Sequence, residues 1–119
     1  MENEIYKLAG KLGSLLKAKE KKIATAESCT GGWIAQAITD IPGSSAWFDR
    51  GFVTYSDLSK MEMLGVNRDT LERYGAVSEE TVREMTAGAL EYSTSDCSIA
   101  VSGIAGPDGG TPEKPVGTV

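Results

Sequence analysis

The chain of 119 residues contains no histidine, so no imidazole is present to act as a general base or to bind a metal ion. It has two cysteines, Cys29 and Cys97, and no CxxC pair, which argues against a disulfide framework and against a transition-metal site. Basic residues are in the minority, 12 against 17 acidic ones, giving a net charge of −5. That charge argues against a general electrostatic affinity for nucleic acid or anionic membranes.

Long apolar runs are also missing. The opening stretch MENEIYKLAGKLGSLLKAKEKK has no uninterrupted apolar region, so we expect neither a signal peptide nor a membrane span. The composition, 40% apolar and 24% charged, is typical of a soluble globular protein, and the length fits a single domain. Together with the two unpaired cysteines, these features predict a cytoplasmic protein with no membrane or nucleic-acid partner.

The elements that are present alternate between helices and strands. This alternation predicts an α/β fold, a three-layer α/β/α arrangement in which helices flank a largely parallel or mixed central sheet. The apolar run CSIAVSG is typical of a strand buried on both faces. The predicted order is helix 3–20, strand Ile23–Ala26, a helix from Cys29 or Thr30 to before Pro42, strand 51–55, helix 57–65, one or two helical turns at 68–74, a helix capped by Ser78, strand 97–103 and a further strand opening at 116–119.

Two of the predicted strands end in loops of small residues, AESCTGG and SGIAGPDGG. In parallel sheets, ligands bind beyond the carboxyl ends of the strands, where glycines let backbone N–H groups approach an anion. The first loop therefore predicts phosphate or carboxylate binding at Ser28, Thr30, Gly31 and Gly32. The alternative is that Ser28 and Thr30 cap the following helix and the glycines allow close packing. Neither loop is a P-loop or a GxGxxG fingerprint.

A third stretch, GSSAWFDRGFVTYSDLSK, suggests serine chemistry without histidine. A serine nucleophile needs a base, and Lys60 lies in the first turn of a predicted helix, where the helix dipole and partial burial would lower its pKa. Tyr55 is placed to relay a proton or orient the amine. The alternatives are that Ser44 is an N-cap, Ser45 a surface hydroxyl and Lys60 a solvated side chain; spacing alone leaves these open.

The sequence also resembles a known family. The motifs TAESCTGG, PGSSAWF, the segment from Tyr55 to Lys60, and SGIAGPDGG, in this order, closely resemble the CinA C-terminal domain, the nicotinamide-nucleotide amidase family, from about residue 23 to residue 119. The resemblance implies deamidation of nicotinamide mononucleotide to nicotinate mononucleotide and ammonia, in pyridine nucleotide recycling. It implies no metal or organic cofactor, and a homo-oligomer, most simply a dimer.

Carried over by position, the resemblance implies Ser45 as nucleophile, Lys60 as base and Tyr55 as assisting hydroxyl. Backbone N–H groups would hold the oxyanion. The resemblance further implies that residues of the two glycine-containing loops line the nucleotide pocket: Ser28, Thr30, Gly31, Ser102, Gly103 and Gly106. Similar proteins continue past the sequence GTV with further sheet and helix. We therefore expect residues 1–119 to be one amidase domain lacking its C-terminal strand and helix elements.

Two other functions stay open on the sequence alone. The first is a non-catalytic nucleotide-binding or interaction module, since the family takes its name from competence and DNA damage. The second is an oxidoreductase with a Tyr/Lys pair. The second is disfavoured because Tyr55 and Lys60 are separated by four residues and no dinucleotide fingerprint follows the first strand.

Overall fold

The computed structural model describes residues 2–119. Helices and strands alternate along most of this range, as the sequence predicts. The elements are α1 (Glu2–Ala18), β1 (Ile23–Glu27), α2 (Trp33–Thr39), a short 3₁₀ helix (Ser44–Ala46), β2 (Phe48–Val53), α3 (Asp57–Leu64), α4 (Arg68–Tyr74), α5 (Glu79–Glu91) and β3 (Cys97–Val101).

The three strands form one parallel sheet in the order β2-β1-β3, with β1 in the centre and buried along its whole length. Successive side chains of a strand point to opposite faces. Accordingly, Ala24 and Ala26 pack against the layer formed by α3, α4 and α5, whereas Ile23 packs against the layer that includes α1 and α2. The predicted three-layer fold with a parallel central sheet is confirmed.

Each face of the sheet has its own apolar core. On one face the core contains Leu64 of α3, Leu71 of α4, and Met85 and Ala89 of α5. The core of the other face combines Leu16 of α1, Ile38 of α2 and the buried ring of Trp47 with Ile23. The helices are thus held on the sheet by burial of apolar surface, and α3 is fixed relative to the ends of the strands.

Local capping signals agree with the predicted helix ends. Ser56 caps α3, its Oγ accepting the Ser59 N–H, and Gly65 ends the helix at φ 70°. Ser78 caps α5 by accepting the Thr81 N–H. These caps satisfy backbone groups that a helix end leaves without partners.

The second strand is shifted, since β2 spans Phe48–Val53 rather than 51–55, and three further expectations are wrong. First, α2 begins at Trp33 rather than at Cys29 or Thr30, because residues 28–32 form a turn. Second, β3 is only partly buried, with Ile99 exposed, because it is an edge strand of the described sheet. Third, residues 116–119 form no strand within the described chain. Separately, none of the helices described in residues 2–119 combines the length and apolarity that crossing a bilayer requires.

Candidate active site

The carboxyl ends of the three parallel strands meet at one edge of the sheet and open into a cavity. Ser28 directly follows β1, Thr54 and Tyr55 follow β2, and Ser102 follows β3. The cavity has a volume of about 270 Å³ and is lined by Ser28, Cys29, Tyr55, Lys60, Ala76, Ser102, Gly103, Ile104, Ala105, Gly106, Asp108 and Gly109. This is the position at which parallel α/β sheets bind ligands.

Lys60 is the central charged group of this cavity. Its side chain is only 1% exposed, and its Nζ lies 2.9 Å from the Ser28 Oγ, 2.9 Å from the Thr54 carbonyl oxygen and 3.1 Å from the Tyr55 carbonyl oxygen. The amine comes from the first turn of α3, whose start is fixed by the Ser56 cap. A lysine so deeply buried is held by directed hydrogen bonds rather than by solvent.

Burial lowers the pKa of Lys60 below its ordinary value of 10.5, because desolvation disfavours the ammonium form. The nearby Asp57 and Cys29 oppose this change by Coulombic attraction. The Lys60 pKa is thus lowered, as predicted. The main cause is burial rather than the helix dipole. A neutral amine has two N–H donors and one lone pair. In the structure the Nζ donates to the Ser28 Oγ and to both carbonyl oxygens, and the Ser28 Oγ donates to the Tyr55 carbonyl at 3.4 Å. When the amine loses a proton, the two carbonyl oxygens, which only accept, can take both remaining donors and leave the lone pair to accept the Ser28 O–H.

The predicted pairing of Ser45 with Lys60 does not occur. Ser45 is exposed in the 3₁₀ helix that precedes β2, whereas Lys60 lies beyond the carboxyl end of that strand. The six residues of β2 separate the two groups by roughly 20 Å, at about 3.3 Å per residue. Neighbouring Ser44 donates to the Thr39 carbonyl, so both serines belong to the turn that follows α2.

Tyr55 lies at the cavity, where its backbone carbonyl and its side chain have different surroundings. Its backbone carbonyl accepts a hydrogen bond from Lys60 and lies 3.4 Å from the Ser28 Oγ. Its side chain is 67% exposed at the cavity mouth. The orienting task predicted for Tyr55 is thus performed by its main chain, and an assisting role for the hydroxyl stays a prediction.

In the first loop, two of the residues expected to bind a ligand anion, Thr30 and Gly32, are instead bound to the carboxylate of Glu27, and the Gly31 N–H donates to the Ser28 carbonyl. The Thr30 hydroxyl donates to its Oε1 at 2.6 Å and the Gly32 N–H at 3.2 Å. Thr30, Gly31 and Gly32 are not among the residues that line the cavity with Lys60. These three residues therefore lie outside the cavity. Capping by Ser28 and Thr30 is not observed either, because the Ser28 Oγ contacts Lys60 and the Thr30 hydroxyl donates to Glu27, whose carboxylate lies at the start of α2 and supplies the cap.

The second loop does line the cavity, as predicted for Ser102, Gly103 and Gly106. Ser102 is 4% exposed, and its hydroxyl has no hydrogen-bond partner within the described residues. A side chain at Gly103 would bring its Cβ within 2.9 Å of the Cys29 Sγ, so glycine permits the two loops to approach each other. An unpartnered buried hydroxyl facing a cavity is suited to a ligand that supplies the missing hydrogen bond.

Sequence reasoning missed Glu27 and assigned the wrong partner to Lys60. The signal for the correct partner was present, because Ser28 and Lys60 both follow the carboxyl ends of predicted parallel strands, whereas Ser45 precedes one. No comparable signal marked Glu27, since a glutamate at a strand end is usually solvated. The described residues contain no group of three or more cysteine, aspartate or glutamate side chains placed to bind a metal ion.

Known proteins share this sequence and fold. The nicotinamide-nucleotide amidohydrolase PncC of Enterobacter agglomerans is 61% identical over 118 residues, which cover 99% of this chain and 72% of that protein. PncC of Escherichia coli K12 is 57% identical with the same coverage. The crystal structure of the competence/damage inducible protein CihA from Agrobacterium tumefaciens superposes with a TM-score of 0.93 at 51% identity, covering 95% of this chain and 68% of that one.

A further solved structure is the competence damage-inducible protein A (ComA) from Klebsiella pneumoniae, with a TM-score of 0.91 at 42% identity, covering 95% of this chain and 70% of that one. The family model of the CinA C-terminal domain matches residues 5–119. The match therefore includes both strand-end loops and α3, which together form the cavity. On these findings, the chain belongs to the CinA C-terminal domain family.

Proposed function

We propose that the chain is an amidohydrolase that converts nicotinamide mononucleotide and water to nicotinate mononucleotide and ammonia, with Ser28 as nucleophile and Lys60 as base. The names of the PncC relatives support the reaction. The observation that carries the proposal is the 2.9 Å contact between the Lys60 Nζ and the Ser28 Oγ inside the strand-end cavity. A buried amine with a lowered pKa is the base that serine chemistry needs where histidine is absent.

In the first half of the reaction, neutral Lys60 takes the Ser28 proton as the Oγ attacks the carboxamide carbon. The carbonyl electron pair moves to oxygen and forms a tetrahedral oxyanion. The Cys29 N–H makes no hydrogen bond within residues 2–119, follows the nucleophile directly and belongs to a residue that lines the cavity, so it is our candidate for holding this oxyanion.

The C–N bond then breaks, and the Lys60 ammonium gives its proton to the departing nitrogen, which leaves as ammonia. The product on the protein is a nicotinoyl ester of Ser28. A water molecule attacks this ester while Lys60 accepts one of its protons. Collapse of the second tetrahedral intermediate releases the carboxylic acid and returns a proton to the Ser28 oxygen, so that the serine and the neutral lysine are regenerated.

Substrate contacts are proposed for the rest of the cavity wall. Ser102 offers a buried hydroxyl that has no partner within the described residues, and Gly103 and Gly106 line the cavity wall beside it. The exposed ring of Tyr55 at the mouth is placed to stack on a planar pyridine ring, and its hydroxyl to assist protonation of the leaving nitrogen.

The runner-up is a nucleotide-binding module without turnover. A binding module gains nothing from burying a lysine against a serine, because that burial carries a desolvation cost. The amidase reading accounts for this arrangement. A cytoplasmic location, pyridine nucleotide recycling, a homodimer and a single amidase domain remain predictions alongside the proposed reaction.

The deciding experiment measures ammonia release from nicotinamide mononucleotide by the parent chain, Ser28→Ala, Lys60→Met and Ser45→Ala. We expect activity in the parent and in Ser45→Ala, and a fall of at least about a hundredfold in the other two variants. Activity that survived in Ser28→Ala would exclude the proposed nucleophile. A parent that bound nicotinamide mononucleotide but released no ammonia would favour the binding module.

A further inference from the structure

Glu27 is a buried carboxylate that the proposed reaction does not use. It is the last residue of β1, its side chain is 1% exposed, and it forms no ion pair within the described residues. Its side chain faces α2, whereas the next residue, Ser28, faces Lys60 on α3. Burying an unpaired charge is costly, so hydrogen bonds must compensate for the lost hydration.

Four donors provide that compensation. The Oε1 of Glu27 accepts from the Thr30 hydroxyl at 2.6 Å, the Gly32 N–H at 3.2 Å and the Ile34 N–H at 2.9 Å, and its Oε2 accepts from the Ala35 N–H at 3.0 Å. Three of the four donors are backbone N–H groups, which can only donate. Glu27 therefore caps α2, whose N-cap residue is Gly32 and has no side chain with which to cap it.

The turn bridged by this carboxylate is the one that carries the nucleophile. At its start, the Ser28 N–H donates to the Val101 carbonyl at 3.0 Å; at its end, Glu27 holds the first turn of α2. Gly31 and Gly32 both have left-handed φ values, 61° and 107°. Glycine reaches many other conformations at little cost, so a turn with two of them needs external bonds to keep one geometry.

We infer that Glu27 is a positioning residue for the proposed amidase, an inference that rests on the proposed function. Its carboxylate fixes the turn from Ser28 to Gly32, and with it the direction of the Cys29 N–H at the cavity wall. Because negative charge on the substrate oxygen develops only in the transition state, loosening this turn lowers kcat more than it raises KM.

The test compares Glu27→Gln with a matched control, Glu84→Gln. Glu84 performs the same kind of capping elsewhere: its carboxylate accepts from the Asn67 N–H at 2.8 Å and from the Thr70 hydroxyl at the start of α4, and it does not line the cavity. The Glu27→Gln side chain keeps the shape of glutamate, but an amide NH₂ group replaces one of the two acceptor oxygens. Thr30→Val is the milder second variant, because it removes one donor and leaves the carboxylate in place.

We expect Glu27→Gln to lose about tenfold or more in kcat with KM within roughly threefold of the parent, and Thr30→Val to lose less. Glu84→Gln should lose comparable thermal stability but keep kcat within about twofold. The acid limb of the pH profile should not move in Glu27→Gln, because Lys60 keeps its surroundings. A kcat within twofold of the parent in Glu27→Gln would overturn the inference and leave the Ser28–Lys60 pair standing.

Amide hydrogen exchange of residues 29–35 gives a readout that does not depend on turnover. We expect faster exchange in this segment in Glu27→Gln and not in Glu84→Gln. Unchanged exchange of residues 29–35 in Glu27→Gln would overturn the inference that Glu27 fixes this turn, whatever the rate of ammonia release. Failure of the proposed function looks different: the parent releases no ammonia, while the segment still exchanges faster in Glu27→Gln.

Discussion

The Lys60 Nζ of α3 and the Ser28 Oγ at the end of β1 lie 2.9 Å apart, although 32 residues separate them along the chain. The two carbonyl oxygens of Thr54 and Tyr55 fix the amine from the other side. The pair is therefore a product of the parallel sheet, which brings the ends of β1 and β2 together beneath the first turn of α3.

The pH dependence of turnover should follow Lys60. Its pKa is lowered from 10.5, and the proposed mechanism requires the neutral amine, so kcat/KM should rise with pH through the folded-state pKa and level off above it. Lys60→Arg should be inactive at every pH tested, because a guanidinium stays charged. The measurement is a pH–rate profile of ammonia release. A flat profile in the parent would contradict a lysine base.

Stability should depend on pH through the same residue. The unfolded state keeps the proton on Lys60 up to about pH 10.5, whereas the folded state loses it earlier. Between these two pKa values the unfolded state binds more protons, so the free energy of unfolding should rise with pH, by at most about 1.4 kcal/mol per pH unit. Urea unfolding of the parent and Lys60→Met across this range should show the slope only in the parent.

Tyr55 can be tested by separating its ring from its hydroxyl. If stacking dominates, Tyr55→Phe should keep kcat within about threefold and Tyr55→Ala should raise KM by about tenfold, a loss of about 1.4 kcal/mol. If the hydroxyl assists protonation of ammonia, both variants should lose kcat alike. Steady-state kinetics of the two variants with nicotinamide mononucleotide decide between these outcomes.

Ser102 should show opposite effects on stability and on binding. Its buried hydroxyl has no partner within the described chain, so Ser102→Ala should leave the free energy of unfolding unchanged or raise it by up to about 1 kcal/mol. The same variant should weaken substrate binding several-fold, because the ligand loses a hydrogen bond. Thermal unfolding measured with and without nicotinamide mononucleotide tests both effects. Lower stability without ligand would mean that the hydroxyl is structural.

Gly88 tests how closely α5 must approach α3. A Cβ at Gly88 would lie 1.9 Å from the Leu64 carbonyl oxygen, a backbone atom near the end of α3. Gly88→Ala should therefore destabilise the fold by about 2 kcal/mol or more. The control is Gly10→Ala in α1, where the nearest atom lies 4.0 Å away and alanine should stabilise by roughly 0.5–1 kcal/mol. Thermal melting should move in opposite directions in the two variants.

The parallel sheet and the starts of α3 and α5 were predictable because local chemistry decides them, as with the capping residues Ser56 and Ser78. The partner of Lys60 was harder to predict, since several serine-containing loops were available and spacing along the chain does not report distance in space. The capping role of Glu27 could not be predicted from the sequence. Its burial depends on a turn whose geometry appears only when α2 starts at Trp33, and nothing in the glutamate's local sequence encodes that start.

The alternation of side chains along β1 has a practical consequence for changing this protein. Ser28 faces the layer of α3 and Glu27 faces the layer of α2. In the proposed mechanism, the proton affinity of Lys60 and the geometry of the turn after β1 are therefore controlled from opposite sides of one strand. Substitutions around α3 would retune the pH at which the lysine becomes neutral. Substitutions around α2 would retune how rigidly the backbone amides are presented. An engineer could therefore vary the pH optimum and the maximal rate as two separate properties.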